Sequence, residues 1–187
     1  MKLTAQDIEI AVAKYFNYRT NLIVPNVWWG WQLQHEADLI VLRPSGYCDE
    51  VEIKVTVADI RADAKKPIGH WDDNRIARVW FAVPHILENS PDIPAAAGIL
   101  SVMRGTQRPD TEGRWVWSPW REGDTTWHDY VTVKRAARLR TKESRTVLSA
   151  QQRLKLAELG AMRIWDLKAS LAARSRKSNN PIPNNKP

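Results

Sequence analysis

Apolar and polar positions follow two rhythms along this chain, and their order predicts the architecture. Behind Thr4, which forms a weak capping box with Asp7, the residues Ile8, Ala11, Val12, Tyr15 and Phe16 recur at the spacing of one helix face. Asn17 and Asn21 bracket the end of that helix. Leu22–Val24 starts a strand that runs past Pro25 into Val27-Trp28-Trp29, and the proline argues for a bulge or an edge position. Ala37–Leu42 is a second strand, Pro44-Ser45-Gly46 a turn, and Cys48–Val57 a third strand, so the last two form an antiparallel hairpin. A helix follows through Ile60, Ala62 and Ala64, ended by Pro67 and Gly69. Arg78–Val83, closed by Pro84, and Gly98–Met103 are strands, and Trp115–Trp117 is a shorter one. From Ser149, boxed with Gln152, the pattern through Leu154, Ala157, Met162, Trp165 and Leu167 is helical, with Gly160 a bend or break. The order predicts an α/β (α+β) domain with C-terminal helices.

Composition narrows the class. The chain has 187 residues, 43% of them apolar and 26% charged, which suits one globular domain with an appendage. No apolar run approaches a membrane span, and Asp7 and Glu9 stand where a signal peptide needs an apolar core, so a cytoplasmic protein with no membrane partner is expected. The single cysteine, Cys48, excludes an intrachain disulfide and a cysteine-cluster zinc site. The net charge of +7 is uneven: residues 131–187 hold 14 Lys/Arg against 3 acids, and residues 1–130 hold 14 against 18. Three parts are expected: a body over 1–130, a basic helical extension over 131–175, and a disordered tail over 176–187. The basic part suits a phosphate-rich partner, or serves only as a solubilising tail.

The third strand, CDEVEIKVTV, poses the chemical question. Val51, Ile53, Val55 and Val57 make one apolar face, while Glu52 and Lys54 share the other. Asp38, near the start of the neighbouring strand, converges on the same end of the hairpin. Close carboxylates repel unless a cation sits between them, and Mg²⁺ tolerates two carboxylates plus water and phosphate oxygens. A lysine beside such an ion orients water and stabilises charge on a scissile phosphate. The spacing D-(x)13-E-x-K therefore fits phosphodiester hydrolysis, against the plainer reading of Glu52 and Lys54 as a surface ion pair on a solvated face.

Glu36-Ala37-Asp38-Leu39-Ile40-Val41, followed by Glu52-Ile53-Lys54-Val55-Thr56-Val57-Ala58-Asp59, resembles the PD-(D/E)XK nuclease superfamily. Over VTVADIRADAKK it is similar to the MmcB-type DNA-repair branch and related phage proteins. The resemblance spans residues 4–103 and is strongest over 36–66; Ala37 stands where the superfamily name has proline, and Thr56 where the branch commonly has serine. It implies a restriction-endonuclease-like αβββαβ core, a mixed sheet flanked by helices, and cleavage of nucleic acid with Mg²⁺ (or Mn²⁺). Carried over by position, Asp38 and Glu52 ligate metal with the Ile53 carbonyl as a third ligand, and Lys54 is the catalytic lysine. Glu9 is either a further carboxylate of the site or an exposed helix residue. Asp63 and Lys65 support the site, and Asp59 does so or caps its helix. Glu36 is a ligand or a rim charge, and His35 is the one histidine near the site.

Two further features bear on nucleic acid. Lys134, Arg135, Arg138, Arg140 and Lys142 form a basic run suited to phosphates. Among ten tryptophans, Trp120 and Trp127 lie in polar sequence and are the better candidates for base stacking, the rest for packing. The expectation is a metal-dependent nuclease acting on DNA in repair, recombination or phage–host conflict, with a homodimer as one arrangement. The alternative is a catalytically inactive nuclease-fold DNA-binding module or adaptor.

Overall fold

The computed structural model describes residues 2–28, 31, 33, 35–63, 72–122, 124 and 126–178. The elements run α1 (Ala5–Tyr15), β1 (Leu22–Val27), β2 (Ala37–Leu42), β3 (Cys48–Ile53), α2 (Val57–Asp63), β4 (Ile76–Pro84), β5 (Gly98–Pro109), β6 (Trp115–Pro119), β7 (His128–Arg135) and α3 (Ala150–Ser178). The first six follow the expected αβββαβ order. One mixed sheet of seven strands runs β1-β2-β3-β4-β5-β6, with β7 pairing β5.

Local chemistry accounts for the starts and turns. The Thr4 hydroxyl accepts the Asp7 N–H while the Asp7 carboxylate accepts the Thr4 N–H, a reciprocal cap on α1. Ser149 and Gln152 do the same for α3. Pro25 sits in β1, the edge strand, where its missing N–H costs no ladder bond. Gly46 holds φ of +84° in the β2–β3 turn, a conformation that any side chain strains. β2 and β3 are antiparallel, whereas β3, β4 and β5 are parallel, so α2 carries the chain over the sheet between β3 and β4.

Each face of the sheet has its own core. Leu39, Val41, Val51, Trp80, Ala82 and Leu100 pack with Ile8, Val12 and Phe16 of α1. Ile40, Cys48, Val79 and Phe81 pack on the opposite face with Ile60 of α2 and Leu156 and Leu159 of α3. β3 therefore has a strand on either side and a core above and below.

The C-terminal third departs from expectation. The boundary at 130/131 falls inside β7, which pairs with β5 from Ile99↔Arg135 to Gly105↔His128. Lys134 and Arg135 thus belong to the sheet, and the chain from 136 to 149 is extended apart from a short turn at Lys142–Ser144. The helical part is α3 alone, which continues to Ser178; the tail expected to be disordered lies otherwise outside the described residues. No described helix is long and apolar enough to cross a membrane.

Candidate metal and nucleic-acid site

Alternation along β3 sends Val51 into the α1 core and sends Glu50, Glu52 and Lys54 to the α2 face. Because that face is also covered, Glu50 is 0%, Glu52 1% and Lys54 7% exposed. A surface ion pair on a solvated face is thereby ruled out. Lys54 Nζ lies 2.5 Å from Glu52 Oε2 and 2.9 Å from Asp63 Oδ1, and 5.9 Å above the Phe81 ring. Burial works against the ammonium, but Glu52 and Asp63 outweigh it and raise the Lys54 pKa. Lys54 therefore keeps its proton at neutral pH, and serves as a positive charge and hydrogen-bond donor, not as a base.

α2 brings Asp63 to this point. The Thr56 hydroxyl accepts the Asp59 N–H at 3.1 Å and the Asp59 carboxylate accepts the Thr56 N–H at 2.9 Å, which sets the start of α2. Asp59 is thus a cap, and Asp63, one turn on, reaches Lys54. Lys65 lies outside the described residues.

Asp38 meets the end of β3 from the other side. The β2–β3 ladder closes at Leu39↔Val51, and continuing its register sets Asp38 opposite Glu52, at a Cβ separation of ~4.5–5.5 Å. Asp38 Oδ2 accepts the Ile53 N–H at 2.7 Å, replacing the ladder bond that ends there. Both polar groups of one strand residue point to the same side, so the Ile53 carbonyl opens toward Asp38. Glu9 is half-buried on α1, and its carboxyl pKa is raised by burial and then by the charge of Asp38, so Glu9 belongs to this neighbourhood. The position of α1 is fixed by Arg104, which bonds Asp129 of β7 through Nε at 2.7 Å and Nη2 at 2.8 Å and lies 3.2 Å from Asp7.

A residue the sequence reading passed over completes the cluster. Glu50 Oε1 is 2.8 Å from His35 Nε2, and one ligand atom from each of His35, Glu50 and Glu52 lies within 4.8 Å of the other two. Its signal was present: Glu50, Glu52 and Lys54 stand at i, i+2 and i+4, on one strand face. Glu36 is exposed and lies outside this group. Cys48 is buried in the core, and burial first and Asp49 second push its thiol up to about 12, which removes it as a nucleophile.

The basic run divides. Arg135, at the end of β7, donates to the carbonyls of Ala97 and Pro94 just before β5, and Arg140 donates to those of Asp73 and Ile76 and so ties the extended segment to the start of β4. Lys134 pairs with Glu88 at 2.9 Å. Arg138 and Lys142 are exposed. Among the tryptophans, Trp31 is buried, Trp117 stacks on Tyr130 at 4.8 Å, Trp120 is half-buried and Trp127 is exposed.

No family model matches the chain, and no curated protein matches it. A solved structure described as SPO1766 protein of unknown function from Silicibacter pomeroyi is similar, with a TM-score of 0.54 and 18% identity over 97% of this chain and 99% of that one. That likeness shows a shared fold and carries no assignment of activity.

Proposed function

We propose that the protein is a metal-dependent nuclease of the PD-(D/E)XK type that hydrolyses phosphodiester bonds in DNA, in the cytoplasm, in repair, recombination or phage–host conflict. The observation that carries this reading is the convergence of carboxylates on one end of the hairpin. Glu50, Glu52 and Asp63 are buried near the Lys54 ammonium and the His35 imidazole, and Asp38 and Glu9 meet the same end, where the charge of Asp38 raises the Glu9 pKa. Carboxylates gathered this closely repel unless positive charge sits among them, and a divalent cation can supply it. The oxygen-rich donor set of Asp38, Glu52 and the Ile53 carbonyl fits Mg²⁺ or Mn²⁺, which when bound supplies charge stabilisation at the phosphate.

The chain's own groups account for the rest. Lys54 donates to a non-bridging phosphate oxygen and stabilises the negative charge that builds there. Glu9, with its raised pKa, is suited to take the proton from the attacking water. The water oxygen bonds to phosphorus, the ester P–O bond breaks, and the leaving oxygen takes up a proton. Two copies acting together suit cleavage of both strands, and the exposed Ile164, Trp165 and Leu167 of α3 offer apolar surface for pairing. That same surface favours the second reading, an inactive nuclease-fold module or adaptor that docks on a protein.

Purified protein incubated with plasmid, single-stranded and branched DNA is expected to cut one or more of them only with Mg²⁺ or Mn²⁺. Glu52→Ala and Lys54→Ala, checked for native circular dichroism, are expected to abolish cleavage. Cleavage that survives both substitutions contradicts the site. Salt-dependent DNA binding with no cleavage in either metal supports the inactive module instead.

A further inference from the structure

We propose that His35, Glu50 and Glu52 form a metal seat of their own, which takes a first-row transition-metal ion in preference to Mg²⁺ and shares Glu52 with the proposed nuclease centre. The inference rests on the nuclease reading only for the role of Glu52 there; the seat stands on its own geometry.

The donor set is the first argument. The His35 imidazole and two carboxylates each offer an atom within 4.8 Å of the others, and His35 Nε2 and Glu50 Oε1 are already 2.8 Å apart. Donors bound to one ion at ~2.1 Å lie ~3–3.5 Å from each other, so side-chain rotations of the two glutamates close the set. Mg²⁺ demands oxygen ligands and keeps several waters, whereas first-row transition ions, Mn²⁺ included, accept an imidazole nitrogen beside carboxylates, the later ones most tightly. A site with one imidazole among carboxylates therefore discriminates between the two classes.

Position is the second argument. Glu50 and Glu52 leave β3 in the middle of the sheet, and their backbone is fixed by pairing to Ile40 on β2 and to Val79 and Phe81 on β4. The His35 side chain is 9% exposed and closes over Glu50 from the residues just before β2. Both glutamates are therefore held by a central strand, and all three ligands are largely screened from water, where a cation interacts strongly. Lys54 now occupies Glu52 Oε2. Metal entry displaces that ammonium from Glu52 and leaves it with Asp63 and the incoming phosphate, so loading the seat primes Lys54 for the role assigned to it.

The test uses the full chain stripped of metal by chelator, without DNA. Titration calorimetry is expected to show Mn²⁺ binding at least ~10-fold tighter than Mg²⁺, and pulsed electron paramagnetic resonance of bound Mn²⁺ to show coupling to an imidazole nitrogen. His35→Gln is expected to erase that coupling and the preference for Mn²⁺. Should His35→Gln fail to fold, Glu50→Gln serves in its place and is expected to weaken Mn²⁺ binding. Bound Mn²⁺ without nitrogen coupling, or wild-type preference in His35→Gln, overturns the seat. A protein that cuts DNA with Mg²⁺ but shows no nitrogen coupling loses this inference and keeps the nuclease; one that shows the coupling and cuts nothing does the reverse.

Discussion

Lys54 lies between two buried carboxylates, and its removal leaves Glu52 and Asp63 facing each other without their ammonium. Breaking a buried pair in this way costs about 3–5 kcal/mol. Lys54→Met is therefore expected to melt well below the wild type in chelator, and to regain part of the difference when Mn²⁺ is added. A variant as stable as the wild type in chelator contradicts the account of Lys54 as the counter-charge. Much at this scale was legible in the sequence. Asp38, Glu52, Lys54 and Asp63 share one end of the fold because an antiparallel hairpin and a helical turn have fixed periods. Glu50 shares the strand face of Glu52 and Lys54 by the same alternation, one step back, but only the second layer of helices, which the sequence pattern of β3 does not reveal, buries that face and brings His35 against it. Which of the arginines in the basic run are free to meet a partner was not legible, because that depends on backbone carbonyls some forty to seventy residues away.

At the scale of elements, Glu88 fastens the turn after β4 to two strands. It lies beside His85 at 2.9 Å and Lys134 of β7 at 2.9 Å, and Ser101 of β5 also bonds it. Burial alone pushes this carboxyl up, but the hydrogen bonds from Ser101, Lys134 and His85 hold it down at about 2. A carboxylate depressed in the folded state contributes stability above its ordinary pKa of 4.5 and loses it as pH falls through about 2. Glu88→Gln is expected to lower the melting temperature at about pH 6, with the gap closing toward about pH 2. A gap independent of pH rules out the carboxylate as its cause. The αβββαβ order could be read from sequence because α1 and β3 carry clear periods and β2 and β4 are short apolar runs bounded by turn residues. β7 could not: His128–Arg135 leaves most of its side chains exposed or half-exposed, so its partner β5, and not its own pattern, makes it a strand.

Over the whole molecule, the excess of positive charge lies in residues 131–187, and the structure divides it between fold and surface. Arg135 fastens the end of β7 to the loop before β5 and Arg140 holds the extended segment in place, whereas Arg138 and Lys142 face solvent. Each phosphate contact made by a surface cation adds ~0.9 to the slope of log affinity against log salt for duplex DNA. The double variant Arg138→Ala/Lys142→Ala is accordingly expected to reduce that slope by about 1–2 in fluorescence anisotropy without a change in melting temperature. An unchanged slope removes this face from the DNA path.

The account as a whole turns on a cation held at Glu52. Crystals of the protein soaked in Mn²⁺ and measured for anomalous scattering test this directly. An anomalous peak at ~2.2 Å from a Glu52 carboxylate oxygen is the predicted result. A fully occupied soak with manganese elsewhere, and Glu52 still closed on Lys54, is the result that contradicts it.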